Sequence, residues 1–267
     1  MADPTPSSRD HLPGPADALT GVLMTMARAQ LEGLLVGDPV KAALWVRGAA
    51  EYGLPEAQIR YGRMLLEGQG VARDEAAALA WFRRAAELGD ADSQNMVGRC
   101  YENGWGADRD PAEAAIWFAR AANAGLAWAQ YNLGHLYLDG DGVGQDRDMA
   151  FTLYDRAARQ GHERAMNLLA RCYEEGWGVA ADPATARAWY RRSAEGGYFR
   201  GQYNYASLLL ADGRAGEAMA WFERAMAGAP AASRRSMARA LIASAAPPLR
   251  ALGEHALVVG QEGPLSA

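Results

Sequence analysis

Five glycines, Gly53, Gly89, Gly125, Gly161 and Gly197, stand 36 residues apart, and each closes a run rich in alanine and aromatic residues. Self-similarity at a fixed period of this size marks a solenoid, in which no unit buries its apolar face alone and stacked neighbours build one continuous core. Other columns keep the same count. Gly62, Gly98 and Gly134 continue as Ala170 and Ala206, and Trp45, Trp81, Trp117 and Trp189 are interrupted only by Leu153. Asp38, Asp74, Asp110, Asp146 and Asp182 form a third column. The expected fold is all-α, about six 36-residue helix-turn-helix repeats in one elongated array.

Each full unit reads as helix, glycine-rich turn, helix, turn. In the first helix of unit 127–162, Leu133, Leu136 and Tyr137 make an i, i+3, i+4 stripe, and Gly134 lets the partner helix come close. Pro111 and Pro183 follow Asp110 and Asp182 directly, so an N-cap acid precedes a proline at the first helical position. Second helices carry a Trp-Phe or Leu-Tyr pair followed by small residues, so that large side chains meet small ones across the helix interface.

The proline-rich lead-in 1–17 cannot bury a core and is expected to be disordered. Residues 18–54 read as a degenerate N-terminal capping repeat with an opening helix near 18–31, and 55–198 as four full repeats. A shortened repeat covers 199–230: Ala186 and its counterpart Ala218 are 32 residues apart, which places the deletion in the turn. A capping helix region follows at 231–253, its amphipathic helix at 233–245 interrupted by Pro247-Pro248. Residues 254–267 are expected to be a flexible tail.

Composition excludes several function classes. Net charge is −5, and no basic run exceeds Arg-Arg, so there is no electrostatic footprint for nucleic acid or anionic lipid. One lysine, Lys41, stands among 27 basic residues, a skew that points to a GC-rich bacterial genome. No stretch reaches the roughly 18–20 apolar residues of a membrane span, and the first twenty residues carry prolines and acids where a secretory signal has a basic start and an apolar centre. A cytoplasmic location is the expectation. Cys100 and Cys172 occupy one position two repeats apart, on the order of 20 Å at the usual helix spacing, against a disulfide limit of about 7 Å between Cα atoms. They read as unbridged core thiols, which suits a reducing compartment.

The unit AQYNLGHLYLDGDGVGQD, and again AQIRYGRMLLEGQGVARD, each followed by an aromatic residue and a small-residue stretch, resembles the Sel1-like repeat, a relative of the tetratricopeptide repeat. The likeness covers 19–230. It implies a right-handed superhelix of paired antiparallel helices, used mainly to hold other proteins: a scaffold or adaptor rather than an enzyme. Family members often act in envelope-related processes or in control of sensor kinases. Some cysteine-rich secreted members are associated with penicillin binding or β-lactam hydrolysis, but those carry disulfides within each repeat, which this chain does not.

The candidate site residues are weighed against plain structural roles. Neither cysteine has a histidine recurring beside it, as a nucleophile requires. The four histidines lack metal-ligand spacing, so neither metal nor cofactor is expected. Arg84, Arg120, Arg156, Arg192 and Arg224 recur near second-helix C-termini, placed either for an acidic partner or for the helix dipole and a neighbouring acid. By analogy with tetratricopeptide repeats, the groove-facing positions are Arg63, Asn95, Arg99, Glu102, Tyr131, His135, Asn167, Arg171, Glu174 and Tyr203. Arg63, Arg99, His135 and Arg171 make a basic stripe flanked by acids, and Asn95 and Asn167 have amides suited to a peptide backbone. The competing reading pairs Arg99 with Glu102 and Arg171 with Glu174 as i, i+3 surface bridges worth about 0.2–0.5 kcal/mol. Trp105 and Trp177, between turn glycines, are further candidates, either exposed anchors or packed turn residues. The partner is expected to be a protein or peptide; the sequence does not set the oligomeric state.

Overall fold

A computed structural model describes residues 37–244 and 246–259. The expected lead-in, the opening helix near 18–31 and residues 260–267 lie outside the described residues. All regular structure among the described residues is helical, thirteen helices in all. The chain divides into two compact units, one ending at Leu88 and the other beginning at Gly89.

The first unit holds α1 (Pro39–Glu51), α2 (Pro55–Glu67) and α3 (Glu75–Glu87), each packed on its neighbour in sequence. The second holds α4 (Ala91–Asn103), α5 (Pro111–Asn123), α6 (Ala127–Asp139) and α7 (Arg147–Arg159). It continues through α8 (Glu163–Glu175), α9 (Pro183–Glu195), α10 (Phe199–Ala211) and α11 (Ala215–Gly228). In this unit α4 to α11 are antiparallel pairs stacked in chain order, the packing of a helical-repeat solenoid.

The sequence columns explain the elements. Asp74, Asp110, Asp146 and Asp182 each accept a backbone N–H from the first turn of a second helix, and Asp38 does the same for α1. Such caps satisfy amides that have no partner inside the helix. The glycine column ends those helices: Gly125 and Gly161 have φ of 94° and 92°, a backbone region that other residues enter only at a cost.

Burial follows from size matching. Phe82, Phe118 and Tyr154 are fully buried, and each lies over a small residue on the first helix of its own repeat. A Cβ added at Gly98 would sit 2.6 Å from the Phe118 ring, and one at Gly134 would sit 2.7 Å from that of Tyr154. The missing side chain is therefore the space the ring occupies, and each ring contributes about 1.5–3 kcal/mol by leaving water. Tyr190 with Ala170, and Phe222 with Ala206, share the core in the same way.

At the short repeat three residues separate α10 from α11, and α11 has no side-chain cap. The C-terminal end differs from expectation. Instead of one capping helix and a frayed tail, α12 (Ala231–Ile242) and α13 (Pro247–Val259) form a packed pair, and both contact α11. Pro247 and Pro248 begin a helix rather than break one, because a proline in the first turn forfeits no hydrogen bond. Residues 254–259 therefore belong to α13 and not to the tail. Gly253 permits the crossing, since a Cβ there would meet the Ala238 carbonyl oxygen at 2.6 Å.

Candidate functional site

Among the first helices of the second unit, polar contacts join α4 to α6 and α8 to α10. Asn132 on α6 donates to Asn95 Oδ1 on α4 at 2.9 Å, and Asn204 on α10 donates to Asn167 Oδ1 on α8 at 2.9 Å. Asn95 and Asn167 are buried, so one acceptor of each amide serves the contact between repeats. A buried polar group needs such a partner.

The two arginine–glutamate pairs do not form. Arg99 stacks on the Trp105 ring at 5.1 Å, and Arg171 on the Trp177 ring at 4.8 Å. Trp177 also carries Arg147 at 5.8 Å. Stacking on tryptophan is worth about 0.5–1 kcal/mol at exposed sites and more where water is excluded, which outweighs an i, i+3 surface bridge. Glu174 instead accepts the Tyr190 hydroxyl at 2.6 Å. Glu102 is half-buried, and burial raises its carboxyl above the usual range while nearby Arg99 partly opposes the shift. Trp105 and Trp177 are thus platforms, half-buried and joined to the arginine column.

Between these two sites lies an aromatic cluster. Tyr131 packs edge-on against His135 at 4.7 Å and lies tilted on His162 at 4.9 Å, and Trp128 meets His162 at 4.3 Å. Burial raises the Tyr131 phenol to about 12 and lowers the pKa of both histidines. His162 caps α8, its Nδ1 accepting the Ala165 N–H at 3.1 Å, so the ring hydrogen sits on Nε2. Tyr203 packs on Phe222 at 5.2 Å. Arg63 lies exposed on α2 in the first unit.

Residues that the sequence reading passed over complete the face. Trp128 is 41% exposed, and Arg164 lies over it at 5.0 Å and over Tyr198 at 5.7 Å. Positions 128, 164 and 200 are in 36-residue register as Trp128, Arg164 and Arg200; that spacing was the available signal. Arg99, Arg164 and Arg171 have no carboxylate within ion-pair distance among the described residues.

The second-helix arginines take an arrangement that neither reading anticipated. Arg84, Arg120, Arg192 and Arg224 stack on Trp81, Trp117, Trp189 and Trp221 at 4.5–5.0 Å, three residues back in each helix. Arg156 faces no ring because Leu153 replaces the tryptophan there. Cys100 and Cys172 are buried and form no disulfide, and burial pushes the Cys172 thiol up to about 12. Among the described residues no cluster of three His, Cys, Asp or Glu side chains could hold a metal ion, and no helix is long and apolar enough to cross a membrane.

Capped helix pairs at a 36-residue period, ring against glycine, define an α/α helical-repeat protein. The chain belongs to the Sel1 repeat family, whose model matches residues 55–90, 91–126, 129–162 and 163–198. Proteins of this class generally serve as scaffolds for other proteins. A Sel1 repeat protein from Oxalobacter formigenes is similar with a TM-score of 0.69 and 25% identity, over 84% of this chain and 99% of that one. A protective antigen of uropathogenic Escherichia coli with an SLR fold is similar with a TM-score of 0.63 and 30% identity, over 84% of this chain; the match spans 49% of the antigen. An immunity protein of Pseudomonas aeruginosa, 17% identical over 78% of this chain and 81% of that one, shares the fold at a TM-score of 0.53. No curated protein matches.

Proposed function

We propose that this chain is a non-catalytic scaffold that holds a segment of a partner protein along the face formed by α4, α6, α8 and α10. The observation that supports this is the set of three guanidinium groups, Arg99, Arg164 and Arg171, resting on aromatic rings with no carboxylate within ion-pair distance among the described residues. A stacked guanidinium is held in place, which lowers the entropy lost when it binds; Arg99 makes one weak hydrogen bond, from Nη1 to Met96 Sδ at 3.8 Å, and its other N–H groups face a partner. Asn95, Asn167, Glu102, Glu174, Tyr131, His135 and Tyr203 position that face rather than contacting the partner first. The work is done in the cytoplasm, in regulation linked to signalling or the envelope.

The test is capture from native lysate by the wild-type chain beside the Arg99→Ala, Arg164→Ala, Arg171→Ala triple variant. The reading expects partners retained by the first and lost by the second, with an unchanged thermal midpoint. Equal retention by both refutes it.

A further inference from the structure

The family period is 36 residues, but the first-helix face of this chain repeats every second unit. Residues 99–106 read RCYENGWG and residues 171–178 read RCYEEGWG, a single difference, whereas the unit between reads HLYLDGDG. The alternation extends beyond that run. Asn95 and Asn167 alternate with Tyr131 and Tyr203, and Asn132 and Asn204 alternate with Met96 and Leu168. The geometry repeats with the sequence: Asn132 to Asn95 and Asn204 to Asn167 are both 2.9 Å, and Arg99 and Arg171 sit 5.1 and 4.8 Å over Trp105 and Trp177. Core packing explains a 36-residue period, since every unit stacks alike. It does not explain why an arginine paired with a half-buried tryptophan should return only at 72; Arg63, one unit before Arg99, has Gln69 where the tryptophan would stand.

We infer that Arg99–Trp105 and Arg171–Trp177 are two carboxylate-binding sites in matching register that together grip one extended, doubly acidic peptide segment. This rests on the scaffold reading above and specifies its partner. A planar guanidinium fork matches a carboxylate bidentately, and neither neighbouring acid takes that place: Glu174 accepts from Tyr190, and Glu102, although close enough to feel the charge of Arg99, forms no ion pair with it. The span sets the spacing. First helices two repeats apart are on the order of 20 Å from each other at usual packing distances. An extended chain advances about 3.3–3.6 Å per residue, so about six residues bridge the sites. An even number puts both acidic side chains on the same side of the strand. The occupant is therefore an extended segment with acids at i and i+6.

The experiment uses the full chain and synthetic peptides of glutamine and serine with acetylated and amidated ends. One carries two glutamates six positions apart, one carries them three apart, and one carries a single glutamate. The i, i+6 peptide is expected to bind about tenfold or more tighter than the other two, a modest avidity gain. Either R99Q or R171Q should reduce it to the single-glutamate affinity, while the single-glutamate peptide still binds at the site that remains. Equal affinity for all three peptides, persistence of the i, i+6 preference in either variant, or no binding of any peptide overturns the inference. None of those outcomes touches the scaffold reading, which falls only if partner capture is indifferent to the triple variant.

Discussion

The ring-against-glycine core makes a prediction with a definite sign. Phe118 is fully buried, and a Cβ at Gly98 would lie 2.6 Å from two of its ring atoms. In the wild-type background Gly98→Ala gains about 1 kcal/mol of helix propensity and loses about 2 kcal/mol to overpacking, a net loss near 1 kcal/mol. Phe118→Ala removes the ring and costs about 3–5 kcal/mol. In that variant the added methyl has room. Gly98→Ala then keeps its roughly 1 kcal/mol of propensity and adds about 0.8 kcal/mol of buried methyl, a gain near 2 kcal/mol. The same substitution thus reverses sign, and the coupling between the sites is about 3 kcal/mol. Equilibrium urea unfolding of the four chains measures it, with equal m-values as the check that each unfolds as the same cooperative unit. Additivity within about 0.5 kcal/mol would refute the claim that glycine stands at this position to admit the ring.

Three further outcomes follow from buried groups. The Tyr154 hydroxyl is buried without a hydrogen-bond partner, whereas that of Tyr190 donates to Glu174; Tyr154→Phe should stabilise the chain by about 1 kcal/mol and Tyr190→Phe destabilise it by about as much, as read from thermal midpoints. His135 and His162 both have lowered pKa values, chiefly from burial. The unfolded chain therefore binds more protons than the folded one below about pH 6.5, so stability is full above that value and declines as the pH falls toward the folded-state values. A pH series of urea midpoints should show this decline, and a flat profile from pH 7 to about 5 would contradict it. With both thiols buried, an aromatic disulfide reagent should leave the native protein unmodified and titrate two thiols once denaturant is added.

Much of the fold could be read from columns of residues because each repeat solves the same local problem. Aspartates before second helices, glycines after them, and the large-against-small pairing at positions such as Gly134 and Tyr154 are set by contacts within one repeat. Contacts between repeats were harder to read. Asn95 and Asn167 look available in sequence, yet each accepts from an asparagine 37 residues on, a pairing that depends on how one repeat turns against the next. Gln58, Gln130 and Gln202 each donate to a backbone carbonyl eight residues back, at 3.2–3.3 Å, satisfying the carbonyl-rich end of the preceding helix. Their 72-residue spacing was visible, but nothing in composition says that glutamine will turn inward. The arginine–tryptophan stacks show the same limit: spacing places the two side chains together, and the competition between ring and carboxylate decides the partner.

The proposed binding face is tested most directly by hydrogen–deuterium exchange on the chain with and without a protein recovered in the lysate capture. Exchange is expected to slow in α4, α6, α8 and α10 and in the turns carrying Trp105 and Trp177, with α5, α7 and α9 unchanged. Protection confined to α5, α7 and α9, with the first helices exchanging as before, would place the partner on the opposite face and contradict the account.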